Sequence, residues 1–302
     1  MTLIMNEYVT GECLQQLADL TIATPEQLSF QPSLTKGTIH YVTIHDFTRL
    51  SPTHESILAI RKARSLFVYT HLLDAFFQYI YPHLNQGFVL LTHNSDHGIT
   101  ERYLPYLNDI NTRISAWFAQ NICIRHPKLH PLPIGIANSQ WAHGNLAALN
   151  EVRSQLSQSR KEKLCYFNFN VATAPNTRAH VKEICLSKSI PMTPSLESSA
   201  YLQYLASHKY AICPEGNGVD THRMWECLYL GVIPIVSESM FVEALAPYDL
   251  PILVLVSWND LSEALLVERY PILVQKFNNT TMDDIMVLSK IRERVNILKN
   301  IC

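Results

Sequence analysis

Short apolar runs alternate with longer segments of helical periodicity from one end of the chain to the other. Near-continuous Val, Ile, Leu and aromatic stretches predict strands over 39–44, 88–93, 115–119, 129–136, 163–169, 210–213, 232–236 and 252–256. Several are apolar at both alternating positions, as strands covered on both faces are. Helical spacing runs over 56–65, 72–81, 177–188 and 198–207. A last helix over 282–298 sets Ile285, Met286, Leu288, Ile291, Val295 and Leu298 on one stripe. Strand–helix alternation without a long meander predicts an α/β fold with mostly parallel sheets. The polar stretch 145–163 separates two similar halves, so the expectation is two doubly wound domains, 1–150 and 151–302, facing a cleft. The last helix is placed to fold back on the first half. In such sheets ligands gather at the carboxyl ends of the strands.

Composition narrows the function classes. The 302 residues carry 24 Lys and Arg against 26 Asp and Glu, a formal charge of −2. No global basic field is present to hold a phosphate polymer, which counts against a nucleic-acid partner. At 47% hydrophobic residues the chain has apolar surface enough for a substantial core. No run approaches the ~20 apolar residues that cross a bilayer, and the opening MTLIMNEYVTGE has no basic start before an apolar block. Seven scattered cysteines without a CxxC pair suggest neither a disulfide framework nor a zinc knuckle. The expectation is a cytoplasmic protein without a membrane span, with peripheral recruitment to a membrane by a partner left open.

The segment 210–236, YAICPEGNGVDTHRMWECLYLGVIPIV, predicts a strand–turn–helix–strand unit. The strand stops at Pro214, which cannot donate to a ladder. Gly216 and Gly218 permit a tight turn with exposed amides, and Asp220 or Thr221 is placed to cap the helix that follows. Met224, Trp225 and Leu228 form its buried stripe, Gly231 ends it and Pro234 lies in the next strand. Asp220, Arg223, Glu226 and Cys227 fall on one side. Arg223 sits in the first turn, where unpaired amides favour an anion. A guanidinium fork there suits a diphosphate, each charge-assisted bond being worth about 1.5–3 kcal/mol. Glu226, one turn on, offers two acceptor oxygens to ribose hydroxyls. On an arbitrary helix this Arg–Glu pair reads as a weak surface ion pair. The Gly-Asn-Gly turn, the Pro-Glu-Gly strand end and Trp225 favour instead a nucleotide-diphosphate socket built from Glu215, Gly216, Asn217, Gly218, Asp220, Thr221, Arg223 and Glu226. Neither GxGxxG nor GxxxxGK[ST] occurs, which counts against dehydrogenases, kinases and ATPases.

The run CPEGNGVDTHRMWECLYLGVIPIV resembles the donor-domain signature of exostosin-like glycosyltransferases. There a strand ending in a Pro-x-Gly turn precedes an Arg, a Glu-x-Leu helix and a Gly-x-x-Pro-x-Val strand. The likeness covers about 27 residues, 210–236, and elsewhere is one of architecture. It implies a GT-B-like fold, two Rossmann-like domains with the donor held mainly by the C-terminal one. It also implies that Arg223 holds the diphosphate and Glu226 the ribose. Glu215 departs from the family pattern, which more often has a basic residue there. Many retaining GT-B enzymes carry two glutamates eight apart; here Gly218 stands eight before Glu226, which leans the resemblance towards inversion.

Other segments supply further candidates. No Asp-x-Asp occurs, and such a pair commonly holds a divalent cation on a donor diphosphate. The expectation is a site without metal or cofactor, the nucleotide-sugar being a co-substrate. LTHNSDHGIT, 91–100, crowds polar groups at a strand's carboxyl end. An inverting transfer needs a base for the acceptor hydroxyl; Asp96 is the first candidate and His93 the second, with Asn94 and His97 as acceptor contacts. Ser95-Asp96 equally reads as a helix cap, and a zinc site from His93 and His97 lacks a third ligand. In IGIANSQW, 134–141, Asn138, Gln140 and Trp141, with His143 beyond, offer amides and an aromatic face to a sugar, although a loop Trp also serves packing. FNFNVATAPNTR, 167–178, repeats the logic of an anion pocket, with Asn170, Thr173 and Arg178 as donor contacts or as turn residues and a solvated Arg. The cysteines lack a neighbouring His in a nucleophile motif and read as buried packing. Together these features predict a glycosyltransferase moving a sugar from a nucleotide-sugar to a hydroxyl acceptor, most simply a glycan. A non-catalytic nucleotide-sugar or glycan binder and a nucleotide-sugar epimerase are the alternatives.

Overall fold

The computed structural model describes residues 8–31, 39–156, 161–279 and 287–301. It is mixed α/β, and every paired strand in both of its sheets is parallel. The chain divides into two compact units, Met1–Ile134 with Leu288–Cys302 and Gly135–Val287. The division falls at 134/135 instead of 150/151 because the helix Leu146–Ser154 packs on Ser198–Ala206, within the second unit. Asn145 caps that helix, its Oδ1 accepting from Ala148 N at 3.1 Å, and Ala148, Leu149 and Val152 face inward.

The first unit is a six-stranded sheet of Leu20–Ala23 (β1), Tyr41–Thr43 (β2), Ser65–Tyr69 (β3), Phe88–His93 (β4), Ile114–Ala119 (β5) and Leu129–Pro131 (β6), ordered β2-β1-β3-β4-β5-β6. The reversal in strand order lies between β1 and β3, the mark of a doubly wound sheet. β3 and β4 are buried along their whole length, and Phe76, Phe77, Tyr81, Phe88, Tyr103 and Trp117 pack as an aromatic cluster beside them. The helix Val287–Lys299 groups with this unit. Ile291 and Val295 are buried, and Lys299 Nζ lies 2.5 Å from Asp19 Oδ1. Ile285 and Met286 lie outside the described residues, as does the Leu288 side chain.

Two strands of this sheet escape the periodicity reading. β1 is four residues long, and β3 follows the helix expected over 56–65, overlapping it only at Ser65; that helix is only Glu55–Ile60. β6 is cut short at Pro131, because Pro131 and Pro133 have no N–H for the ladder. The helical stretch expected over 72–81 divides into Leu73–Ala75, a π-helical turn Phe76–Ile80 and a 3-10 turn Tyr81–His83.

The second unit is a four-stranded sheet of Lys163–Tyr166 (β7), His208–Ile212 (β8), Ile233–Ser237 (β9) and Leu253–Leu255 (β10). Its strands run in chain order, so the described sheet lacks the reversal expected of a doubly wound one. Both faces are nonetheless covered. Cys165, Tyr210, Ile212, Ile233, Ile235 and Leu255 alternate onto one face, against Val181, Ile184 and Cys185 of Pro175–Ser187 and Leu266 and Leu273 of Glu263–Asn279. On the other face Tyr166 meets Tyr201 and Tyr204 of Ser198–Ala206. Cys165, Cys185, Cys213 and Cys227 are buried free thiols, whereas Cys123 is exposed. Among the described residues no helix is long and apolar enough to cross a membrane.

Candidate functional site

The carboxyl ends of β7 and β8 carry the site. After β8 the chain turns through 213–221 and enters the helix His222–Tyr229. Thr221 stands at its N-cap with no side-chain cap bond, so Thr221 marks the start without closing it. Asp220, the other expected cap, is 3% exposed and accepts from Trp225 Nε1 at 2.8 and 3.1 Å. Its carboxylate pins the buried indole beneath the turn. The far end of the helix is closed by a Schellman motif: Gly231 has φ 63°, Val232 N donates to Cys227 O at 2.8 Å and Gly231 N to Leu228 O at 3.2 Å.

Arg223 and Glu226 point inward from this helix but do not pair directly. Arg223 is half-buried, and its Nε donates to Tyr201 Oη at 3.2 Å while Nη1 donates to the Asn168 carbonyl. The guanidinium lies 5.3 and 5.6 Å from the ring centres of Tyr166 and Tyr201. Tyr201 Oη in turn donates to Glu226 Oε2 at 2.5 Å, and Glu226 is 6% exposed. A phenol from the neighbouring helix therefore stands between guanidinium and carboxylate. Burial works against the Arg223 charge, and the oxygens of Tyr201 and Tyr166 more than offset it, so its pKa lies above the usual arginine value. Burial, followed by the Glu226 charge, holds the Tyr201 phenol protonated well above its ordinary range.

Arg178 is the second cation. Its Nε donates to Glu215 O at 2.8 Å, Nη1 to Asn170 O at 2.8 Å and Nη2 to Pro214 O at 3.4 Å, so it welds the two strand-end loops together. A Cβ on Gly216 would meet Arg178 Nη2 at 2.8 Å. The close approach is to the end of the Arg178 side chain, and the backbone is not left-handed there; Gly216 N donates to Gly218 O at 2.9 Å across the turn. Asn170 and Thr173 serve the same loop: Asn170 Oδ1 caps Ala172 N at 3.0 Å, and Thr173 Oγ1 donates to Asn170 O at 3.0 Å. Glu215 Oε1 accepts from Thr177 Oγ1 at 2.7 Å, and Asn217 is exposed at the tip. Burial, and next the charge of Arg223, push Arg178 below the ordinary arginine value. Neither guanidinium forms an ion pair among the described residues. Two cations whose fields oppose each other, bonded to neutral oxygens, are stabilised by an arriving anion.

One clasp supports this arrangement from below. Lys161 Nζ donates to the carbonyls of Ala206 and Leu230 at 3.0 and 2.9 Å, at the C-terminal ends of the Tyr201 and Arg223 helices. Burial pushes its ammonium down to about 8.

The remaining candidates divide between the units. His93 ends β4 in the first unit, and Asn94, Asp96 and His97 follow it. His93 is 2% exposed, with Nδ1 2.8 Å from Asn94 Oδ1 and Nε2 3.0 Å from the Pro133 carbonyl. His93 is therefore buried between two oxygens, with one of its two ring nitrogens donating when the ring is neutral. Asn94 takes φ 58°, and its N–H donates to Gln120 Oε1 at 3.1 Å. Asp96 and His97 are exposed, and His97 Nδ1 lies 2.9 Å from Ser95 Oγ. No helix follows directly for Ser95-Asp96 to cap; the next is the 3-10 turn Glu101–Tyr103.

Asn138 and Trp141 fall in the second unit, on a folded loop that begins at Gly135 with φ 64°. Trp141 N donates to Asn138 O at 3.0 Å and Gly144 N to Trp141 O at 2.9 Å. Any Cβ on Gly144 would stand 2.2 Å from the Asn138 carbonyl oxygen. His222 Nδ1 lies 2.8 Å from the Gly135 carbonyl, tying the loop to the first turn of the Arg223 helix.

Sequence reasoning missed Tyr201, Asn168 and Lys161. Tyr201 lies on a helix whose apolar stripe explains it as core, and only its place in space, opposite Arg223, gives it a second task. Among the described residues no group of three His, Cys, Asp or Glu side chains could hold a metal ion.

No protein-family model matches the chain, and no curated protein does. The exostosin-like resemblance therefore rests on the segment 210–236 alone. A solved structure described as an alpha-glucosyltransferase in complex with UDP-glucose and DNA containing an abasic site is similar over 93% of this chain and 95% of its own, at 10% identity and a TM-score of 0.34. A likeness of that order carries no argument about activity, and the chemistry of the site has to speak for itself.

Proposed function

We propose that the protein is a glycosyltransferase that binds a nucleotide-sugar at the carboxyl ends of β7 and β8 and transfers the sugar to a hydroxyl acceptor, with inversion. The observation that carries this reading is the pair of guanidiniums, Arg178 and Arg223, held on carbonyl and phenol oxygens without an ion-pair partner among the described residues, beside a helix start whose Thr221 side chain makes no cap bond. Arg223 takes the diphosphate through the N–H groups its protein partners leave over, with Arg178 adding its field. Glu226, held by Tyr201 through one oxygen, keeps the other for the ribose. As the glycosidic bond to the donor phosphate breaks, negative charge grows on the leaving diphosphate; fixed guanidiniums and helix amides stabilise that charge without a metal. In this reading Asp96, which is exposed, takes the proton of the incoming hydroxyl, and His93, which is buried, does not. The two α/β units are the two Rossmann-like domains of a GT-B enzyme in this reading.

A thermal-shift screen of UDP-, GDP-, CMP- and dTDP-sugars tests it, because a ligand at about 100 times its Kd adds about 2.7 kcal/mol of stability. One nucleotide class raising the midpoint, and Arg223→Ala abolishing both that shift and turnover, is the expected result. No response to any nucleotide, or unchanged turnover in Arg223→Ala, ends the proposal. The burial of His93 favours one other reading, a nucleotide-sugar binder without transfer activity. It predicts the same thermal shift with no product formed, whatever stands at position 96.

A further inference from the structure

Of the four tryptophans, Trp117, Trp225 and Trp258 are buried, whereas Trp141 keeps 46% of its surface exposed. Its exposure is not that of a mobile tip. The hydrogen bonds of the 138–144 turn, the Gly144 position that no side chain can enter, and the His222–Gly135 tie together fix the backbone that presents it. The indole is backed by a stack: Trp141 and His143 lie 6.1 Å apart at 22°, and His143 lies 5.7 Å from His222. His222 is the residue before Arg223, so the stack abuts the anion socket through the chain itself.

We infer that Trp141, backed by His143 with His222 tilted behind it, forms a stacking platform for a pyranose ring. A pyranose has one face of C–H groups, and a broad, rigid, amphipathic indole meets it. The inference rests on the nucleotide-sugar reading for its neighbour, the diphosphate, but the platform itself belongs to the second unit and is tested separately. The ring has two sources, the hexose of the donor or a terminal sugar of the acceptor.

The experiment is calorimetric titration of the full chain and of Trp141→Ala with UDP, GDP, UDP-glucose, GDP-mannose, maltose and cellobiose. Near-UV circular dichroism and the melting midpoint confirm that the exposed substitution leaves the fold intact. A loss of about tenfold in affinity for a nucleotide-hexose, with the parent nucleotide unaffected, places the donor sugar on the platform. A loss of the same order for a disaccharide alone places the acceptor there. Trp141→Phe should restore most of either loss, because it keeps an aromatic face. Equal affinity of the wild type and Trp141→Ala for every probe overturns the inference, as does failure of the wild type to bind any sugar-bearing probe. Saccharide binding that depends on Trp141 in a protein that binds no nucleotide would leave the platform standing and end the donor reading.

Discussion

Removing a single oxygen from the centre of the site is the sharpest perturbation the structure offers. Tyr201→Phe keeps the ring, its contact with Tyr166 and its face against Arg223, and deletes only Oη. Two hydrogen bonds go with it, Arg223 Nε to Oη at 3.2 Å and Oη to Glu226 Oε2 at 2.5 Å. Bonds to a charged partner contribute about 1.5–3 kcal/mol each, and the first is long, so the pair is worth about 2–4 kcal/mol. Part of that loss appears as stability, since a buried carboxylate is left short of a donor. The rest appears in binding, because Arg223 and Glu226 are then free to close on each other and withdraw the groups a diphosphate and a ribose would use. The expected result is a nucleotide-sugar affinity lower by about 10- to 100-fold, or about 1.4–2.8 kcal/mol. Titration calorimetry on Tyr201→Phe, Glu226→Gln and the double variant measures it, and the cycle should give a coupling of at least about 1 kcal/mol between the two positions. Additive effects, or an affinity within twofold of wild type in Tyr201→Phe, would refute the wedge role.

Three further outcomes are expected. Gly216→Ala drives a methyl group into Arg178, whose guanidinium is fixed by three carbonyls; urea unfolding should show a loss of about 1–2 kcal/mol, and no loss would mean that Arg178 is free to move. Lys161→Met strands two helix-end carbonyls and should cost about 2 kcal/mol by the same measurement, whereas Lys161→Arg, which retains donors, should lose less. His130, in β6 against Phe118, is pushed down to about 4 by burial and then by the Arg294 charge. Its folded pKa lies below the unfolded value of about 6.5, so the unfolded chain binds the extra proton and stability falls as pH drops from about 6.5 towards 4. After discounting for partial exposure the loss is about 1–3 kcal/mol. His130→Gln should flatten that part of the urea-against-pH curve, and an undiminished slope assigns the proton uptake to other groups.

Local chemistry made the second unit's centre readable. Pro214 at a strand end, glycines in the turn, an apolar stripe of Met224, Trp225 and Leu228, and Gly231 beyond it are each constrained by neighbours in sequence, and β8, the helix and β9 lie where they point. β1 and β3 were not readable for the opposite reason. Four or five residues carry too little periodicity to separate a strand from the helices around them, and only pairing across the sheet decides. The same contrast runs through the site. The inward placement of Arg223 and Glu226 follows from their spacing to Trp225, but the phenol between them comes from a different helix, 22 and 25 positions away. Asp220 reads as a cap because Asp before a helix usually is one, but an indole five residues on also donates to both of its oxygens. His93 is polar and at a strand end, which is where ligand groups sit, yet the Pro133 carbonyl forty positions away claims it.

The Lys161 clasp has a consequence for how the socket breathes. Tyr201 and Arg223 ride on separate helices, but one ammonium grips the tails of both. Fraying of either tail releases the other, so the two walls of the pocket slacken and tighten in concert. Amide hydrogen exchange along the two helices should then rise together on warming, as a yoked pair answering to a single pin.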